Sequence, residues 1–247
     1  MKDFVLEVCV DSVESAIAAV QGGATRLELC ANLIIGGTTP SVFLYREIRR
    51  FSNIPIHTLI RPRFGDFCYT GNELRIMTEE VVQFNHEGAA GVVIGALRPD
   101  GSVDTEAMEV LCDAAAGMHI TLHRAFDMCR DPFETLLQAC ELGIGTILTS
   151  GRRNKCLDGA ELIRDLSSAN LVDIMAGGGV SAEIIRELRA KTGIKSYHLS
   201  GKTVMESQMV FRNNDLAMGL PSLSEYELWR TSREKIAAAR QVLEEAD

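Results

Sequence analysis

A chain of 247 residues with 46% hydrophobic and 24% charged residues has the composition of a folded globule, which excludes disordered, collagen-like and fibrous classes. Its net charge of -9 argues against nucleic acid as a partner, because affinity for a phosphate backbone comes mainly from clustered Lys and Arg. A small molecule is the better expectation, and no apolar run approaches the roughly 20 residues that span a bilayer, so no membrane partner is expected. The Met-Lys-Asp start lacks a signal-peptide pattern. Seven cysteines with no CxxC pair read as reduced thiols, so the protein is expected in the cytoplasm without a disulfide framework or zinc module.

Along the chain, short apolar runs alternate with amphipathic segments of helical length. The runs are FVLEVCV (4–10), TRLELC (25–30), IPIHTLI (54–60), GVVIGAL (91–97), HITLHRA (119–125), GTILTS (145–150), LVDIMAG (171–177) and KSYHLSG (195–201). Helix starts are marked by Asp11 with Glu14, by Asp104, by Asp131 followed by Pro132, and by Ser181. Several helices stop at glycine before the next strand, as in QGGATRLEL and LGIGTILTS. Eight such units without a Pro/Gly/Ser-rich linker predict one domain over 1–247, an α/β TIM (β/α)8 barrel, with a doubly wound open sheet as the alternative. Segment 201–222 is expected to be irregular, and the charged remainder to form the last barrel helix.

In a barrel the apolar strand face meets the helices and the other parity points inward. That places Glu7 and Cys9 inside from the first strand, then Arg26, Glu28 and Cys30 from the second. His57 and Arg61 follow from the third and Ser196, His198 and Ser200 from the eighth; on the fifth, parity allows Thr121 and His123 or Leu122 and Arg124, and polar content favours the first pair. Buried charges require partners, so this set is either a structural ion-pair network or a site at the C-terminal strand ends, where barrels keep their chemistry. The loop IRPRFGDFCYTG adds Arg61, Arg63 and Asp66 at that end, and HRAFDM adds His123, Arg124 and Asp127, offering a base, a cation and an acid. Equally, such residues can cap loops.

AGGGVSAEII leaves the seventh strand through Gly177, Gly178 and Gly179 into a helix start. With Ser200, Gly201 and Lys202 after the eighth strand, it forms a candidate cradle for a small anionic ligand, although glycine also serves any tight turn. Metal ligation is a separate question. His119 and His123 lie about 13 Å apart along a strand, too far for one ion. Cys9 and Cys30 end neighbouring strands and could approach a soft ion such as Cu(I), or simply fill the core as small apolar side chains.

The strings LEVCVDSVESA, GGATRLELC, GGTTPS, RPRFGDFCY, HRAFDM, ILTSG, AGGGV and FRNNDLAMG, in this order, resemble the CutC family, labelled copper-homeostasis proteins. The resemblance runs from about residue 4 to 219. It implies a cytoplasmic, usually homo-oligomeric TIM barrel in which copper is the partner, with Cys9 and Cys30 matching the two cysteines proposed as Cu(I) ligands. Glu7, Glu28, Arg61, His123 and Asp127 fall on its motifs too. Two expectations of function follow. In one, Cu(I) is bound for homeostasis. In the other, a small phosphorylated or carboxylated metabolite is processed, with Glu7 or Glu28 as acid or base, His123 as partner, Arg61 stabilising negative charge and no organic cofactor. A scaffolding role through 201–222 or the last helix is a third reading.

Overall fold

The first strand, β1 (Val5–Val10), lies between β2 (Arg26–Leu29) and β8 (Ser196–Leu199), and these contacts close a ring of parallel strands. The remaining staves are β3 (Ile56–Leu59), β4 (Gly91–Ile94), β5 (His119–Leu122), β6 (Thr146–Thr149) and β7 (Asp173–Ala176), in sequence order. The computed structural model describes residues 4–213, 215, 216, 218 and 223–245. Each of the eight predicted runs contains one of the eight staves, and the TIM barrel follows.

The helices are α1 (Val13–Gln21), α2 (Val42–Arg49), α3 (Gly71–His86), α4 (Thr105–Ala114), α5 (Pro132–Glu141), α6 (Ala160–Ser168), α7 (Ala182–Thr192) and α8 (Arg233–Glu244). Leu6, Val8, Leu27 and Leu29 are buried in one cluster with helix residues such as Ala16, Ala19 and Ile48. Each such aliphatic side chain contributes about 1.5–3 kcal/mol over an exposed one. Asp104, Asp131 and Ser181 cap α4, α5 and α7 through their side-chain oxygens. For α1 the cap is Ser12, whose hydroxyl accepts the Ser15 amide, while the Asp11 carboxylate accepts the Leu33 amide at 3.4 Å.

Two elements depart from expectation. Within the segment read as irregular, β9 (Lys202–Glu206) pairs antiparallel with β10 (Glu227–Thr231), which falls where a helix was expected. Residues 214, 217 and 219–222 of that segment lie outside the described residues. The ribbon is anchored by the Thr231 amide on the Ser15 hydroxyl and by the Thr231 hydroxyl on the Ser200 carbonyl, contacts made between distant parts of the chain. Within the last helix, Ile236, Ala239 and Leu243 are buried, and Arg240 reaches the Gly23 carbonyl. No helix among the described residues is long and apolar enough to cross a membrane.

Candidate active site in the barrel mouth

Strand register assembles the floor of the mouth. Glu7 stands opposite Arg26 on one side and His198 on the other, and Cys9 stands opposite Glu28. Glu7 is fully buried; Arg26 Nε donates to its Oε2 at 2.6 Å and His198 Nδ1 meets its Oε1 at 2.8 Å. Burial works to raise the Glu7 carboxyl, but Arg26 and the two histidines His198 and His57 overcome it and hold the acid well below its ordinary range. Glu7 is therefore a fixed anion. Arg26 also donates to Met175 Sδ at 3.5 Å, which ties that sulfur to the network.

Glu28 has the opposite character. Burial, with the Glu7 charge adding to it and His198 and Arg26 opposing, pushes its carboxyl up to about 7. Its Oε2 lies 3.9 Å from His198 Nε2. For His198, burial favours the neutral ring, but Cys9, Glu28 and Glu7 outweigh it and keep the imidazolium. Two carboxyls on adjacent strands thus divide into one held in its charged form and one whose proton is retained up to about 7. A thiol Sγ from Cys9, a Glu28 oxygen and a His198 nitrogen all lie within 4.8 Å of one another. Cys30 stands outside this group: its Sγ donates to the Val10 carbonyl at 3.4 Å, it packs with Leu59 and Val93, and burial with Glu28 nearby raises its thiol.

One wall is built by Arg61, Phe67 and His123. Arg61 donates Nη1 to the Gly37 carbonyl at 3.0 Å and Nη2 to the Gly65 carbonyl at 2.9 Å, which joins the loops after β2 and β3. Its Nε is buried without a hydrogen-bond partner among the described residues, and its guanidinium lies 5.1 Å from the Phe67 ring. That ring also contacts His123, centroid to centroid 4.8 Å. His123 Nδ1 accepts the Ala125 amide at 3.1 Å, while burial and Arg61 lower its basicity to about 3. A neutral imidazole accepting at Nδ1 carries its hydrogen on Nε2, and that atom has no partner among the described residues.

Asp127 plays another part from the acid foreseen for it. Its carboxylate accepts from the Thr149 and Ser150 hydroxyls, from the Ser150 and Arg152 amides and from Arg124 Nε. These bonds fasten the loop after β5 to the end of β6 and aim Arg124. Arg63 is likewise occupied, bridging Glu73 and Asp66 on the loop surface.

The third side is the turn after β7. Gly178 and Gly179 have φ of +94 and +78, left-handed values at which a side chain is strained, and Ser181 then caps α7. Gly177 lies deeper, with its amide on the Thr149 carbonyl. Gly178, Gly179, Ser200, Gly201 and Lys202 share a cavity of about 780 Å3 with Cys9, Glu28, Arg61, His123 and His198. Glu7, Cys30, Gly177 and Asp127 do not line it. The sequence placed His198 inside but gave it no role; barrel closure, which puts β8 against β1, supplies one. Trp229 and Lys235 also reach the cavity, and Lys202 Nζ lies 3.7 Å from the centroid of the Trp229 ring. No local signal foretold that lining.

A profile of the CutC family matches residues 4–203. The chain belongs to the CutC family. It is 42% identical over 241 residues to the family protein CutC of Pasteurella multocida, covering 97% of this chain and 98% of that one. The CutC family protein of Parabacteroides distasonis is also 42% identical over 241 residues, with 95% and 98% covered. A crystal structure of CutC from Streptococcus agalactiae, whose description makes it a candidate copper homeostasis protein, is 32% identical with a TM-score of 0.76, covering 80% of this chain and 98% of that chain. The thiamine phosphate pyrophosphorylase of Pyrococcus furiosus, at 18% identity and TM-score 0.60 over 99% of this chain and 97% of that chain, shares the fold. The CutC profile ends at residue 203, so most of the β9–β10 ribbon and all of α8, including Trp229 and Lys235, lie beyond it.

Proposed function

We propose that this CutC-family protein is an enzyme that binds a small phosphorylated or carboxylated metabolite in the barrel mouth and moves a proton to or from it through Glu28. The observation carrying this reading is that one cavity holds both an acid–base carboxyl on its floor and a glycine turn leading into a helix start on its side. Glu28 is poised near neutrality, where a proton-transfer group is most effective. Glu7 orients His198, His198 supplies a positive charge beside Glu28, and Arg61 with His123 offers positive potential and a hydrogen-bond donor to developing negative charge. Proton NMR of a panel of phosphorylated hydroxy and keto acids in deuterium oxide tests the reading. Exchange at a carbon-bound hydrogen is expected with the native protein and not with Glu28→Gln; no exchange anywhere in the panel refutes it.

The donor group Cys9–Glu28–His198 favours a second reading, Cu(I) handling, which the name of the Streptococcus agalactiae relative also suggests. The residues fit a cation there: Cys9 offers a soft sulfur, and His198 turns Nδ1 to a carboxylate, as metal-bound imidazoles commonly do. Cys30 lies outside that donor group, its thiol donating to the Val10 carbonyl. Titration against a Cu(I) chelator should then show one site that Cys9→Ser removes and Cys30→Ser leaves; equal affinity in both variants rules the reading out. A cytoplasmic location accords with seven free thiols. Association of copies is supported by the exposed apolar residues Val204, Met205, Val210 and Phe211, and light scattering that returns a monomer would remove it.

A further inference from the structure

We propose that the ligand of this mouth is two-ended, with a phosphoryl group seated on the Gly178–Gly179 turn and the first turn of α7, and a carboxylate or carbonyl oxygen seated on the wall of His123 and Arg61. The inference rests on the metabolite-binding reading and deepens it by naming the chemical class.

The phosphoryl end follows from the backbone and the cations around it. The left-handed φ values of Gly178 and Gly179 turn the chain tightly ahead of α7, whose first amides have no carbonyl partner within the helix. Arg124 is clamped through Nε to Asp127 at 2.7 Å and through Nη2 to the Ser150 hydroxyl at 2.8 Å. Its Nη1 is left 3.7 Å from the point where a Gly178 side chain would begin. Lys202 and Lys235 line the same cavity, and the Lys235 ammonium is fixed on the Lys202 carbonyl at 2.7 Å. Of the two carboxylates that line the cavity with them, Glu28 lies on the floor and Glu183 accepts from the Ser181 hydroxyl at 2.8 Å.

The second end follows from an independent observation. His123 is 5% exposed and Arg61 is 8% exposed, yet His123 Nε2 and Arg61 Nε have no hydrogen-bond partner among the described residues. Both side chains line the cavity, both atoms are donors, and Arg61 makes no ion pair with a carboxylate among the described residues. Buried donors ordinarily have acceptors, so two that lie just beneath a cavity wall with none among the described residues point to an acceptor oxygen on the ligand, reached by a small shift of the wall side chains. A volume of about 780 Å3 accommodates a metabolite that reaches both ends.

The test is calorimetry on the full chain with three probes: phosphoglycolate, which carries both ends, methyl phosphate and acetate. Phosphoglycolate should bind about a hundredfold more tightly than methyl phosphate, roughly what a second charge-assisted contact contributes. Gly178→Ala should weaken both phosphorylated probes, because its new carbon would meet Ser150 Cβ at 3.2 Å in a left-handed turn. His123→Phe should weaken phosphoglycolate alone by about tenfold, and His123→Gln, which restores an N–H donor, should recover most of that loss. Phosphoglycolate binding no better than methyl phosphate, or not at all, overturns the proposal. So does a His123→Phe protein of native melting temperature that retains full phosphoglycolate affinity. Calorimetry reads binding alone, so these results stand whether or not Glu28 proves to exchange a proton.

Discussion

Replacing Glu28 with Gln should make the protein more stable at alkaline pH while changing little near pH 4. In the unfolded chain the carboxyl releases its proton around its ordinary 4.5; in the folded protein burial delays release until about 7. Between those values the folded state holds a proton that the unfolded state has lost, so rising pH favours unfolding. The stabilising contribution is fully present below about 4.5 and is lost as pH passes 7. At about 1.4 kcal/mol for each tenfold change in proton affinity, the interval corresponds to about 3 kcal/mol. Glutamine keeps the shape and cannot ionise, so the variant escapes this loss. The attraction of His198, 3.9 Å away, is already part of that value, and pH 5 lies inside the interval, so somewhat less than the whole is read between pH 5 and pH 8. The net expectation is about 2 kcal/mol in favour of the variant at pH 8 relative to pH 5. Urea unfolding at both pH values measures it. If the difference between native and variant proteins is the same at pH 5 and pH 8, Glu28 does not titrate as its burial and neighbours require.

Two further outcomes are expected. Nitrogen-15 NMR of His123 should show a hydrogen on Nε2 and no titration from pH 8 down to 5, because burial and Arg61 lower its basicity from 6.5 to about 3. Its contribution to stability is lost as pH falls through that interval, since the unfolded chain takes up the proton first; a midpoint near 6.5 would show that the ring is solvated. Asp127→Asn should cost about 2–3 kcal/mol and weaken phosphate binding through misplacement of Arg124, because the amide cannot accept all the bonds that the carboxylate receives from Thr149, Ser150, Arg152 and Arg124. An unchanged melting temperature would contradict that role.

Much of the barrel was legible in the chain because the relevant physics is local. A period of two separates Leu6 and Val8 from Glu7 and Cys9, and burial of the first pair against helices leaves the second pair inside. Caps such as Asp131 and Ser181 act within three residues of their own helices, so they too were readable. Local reasoning failed at the first helix, where Asp11 was expected as the cap, because the Asp11 carboxylate is engaged by the distant Leu33 amide and Ser12 caps instead. It failed again for β9 and β10, whose pairing joins segments separated by an intervening stretch and is fixed by distant contacts to Ser15 and Ser200.

The sequence by itself determined the fold, the inward parity and the end of the barrel at which polar residues collect. Tertiary structure alone assigned their partners. Cys9 joined Glu28 and His198 rather than Cys30, and Asp127 became the fastening of a loop. The contact between Glu7 and His198 spans 191 residues and exists only because the eighth strand closes on the first. Whether a glutamate is held charged like Glu7 or keeps its proton up to about 7 like Glu28 depends on burial and on charges a few ångströms away, and those distances are set by ring closure and register rather than by neighbours in the chain.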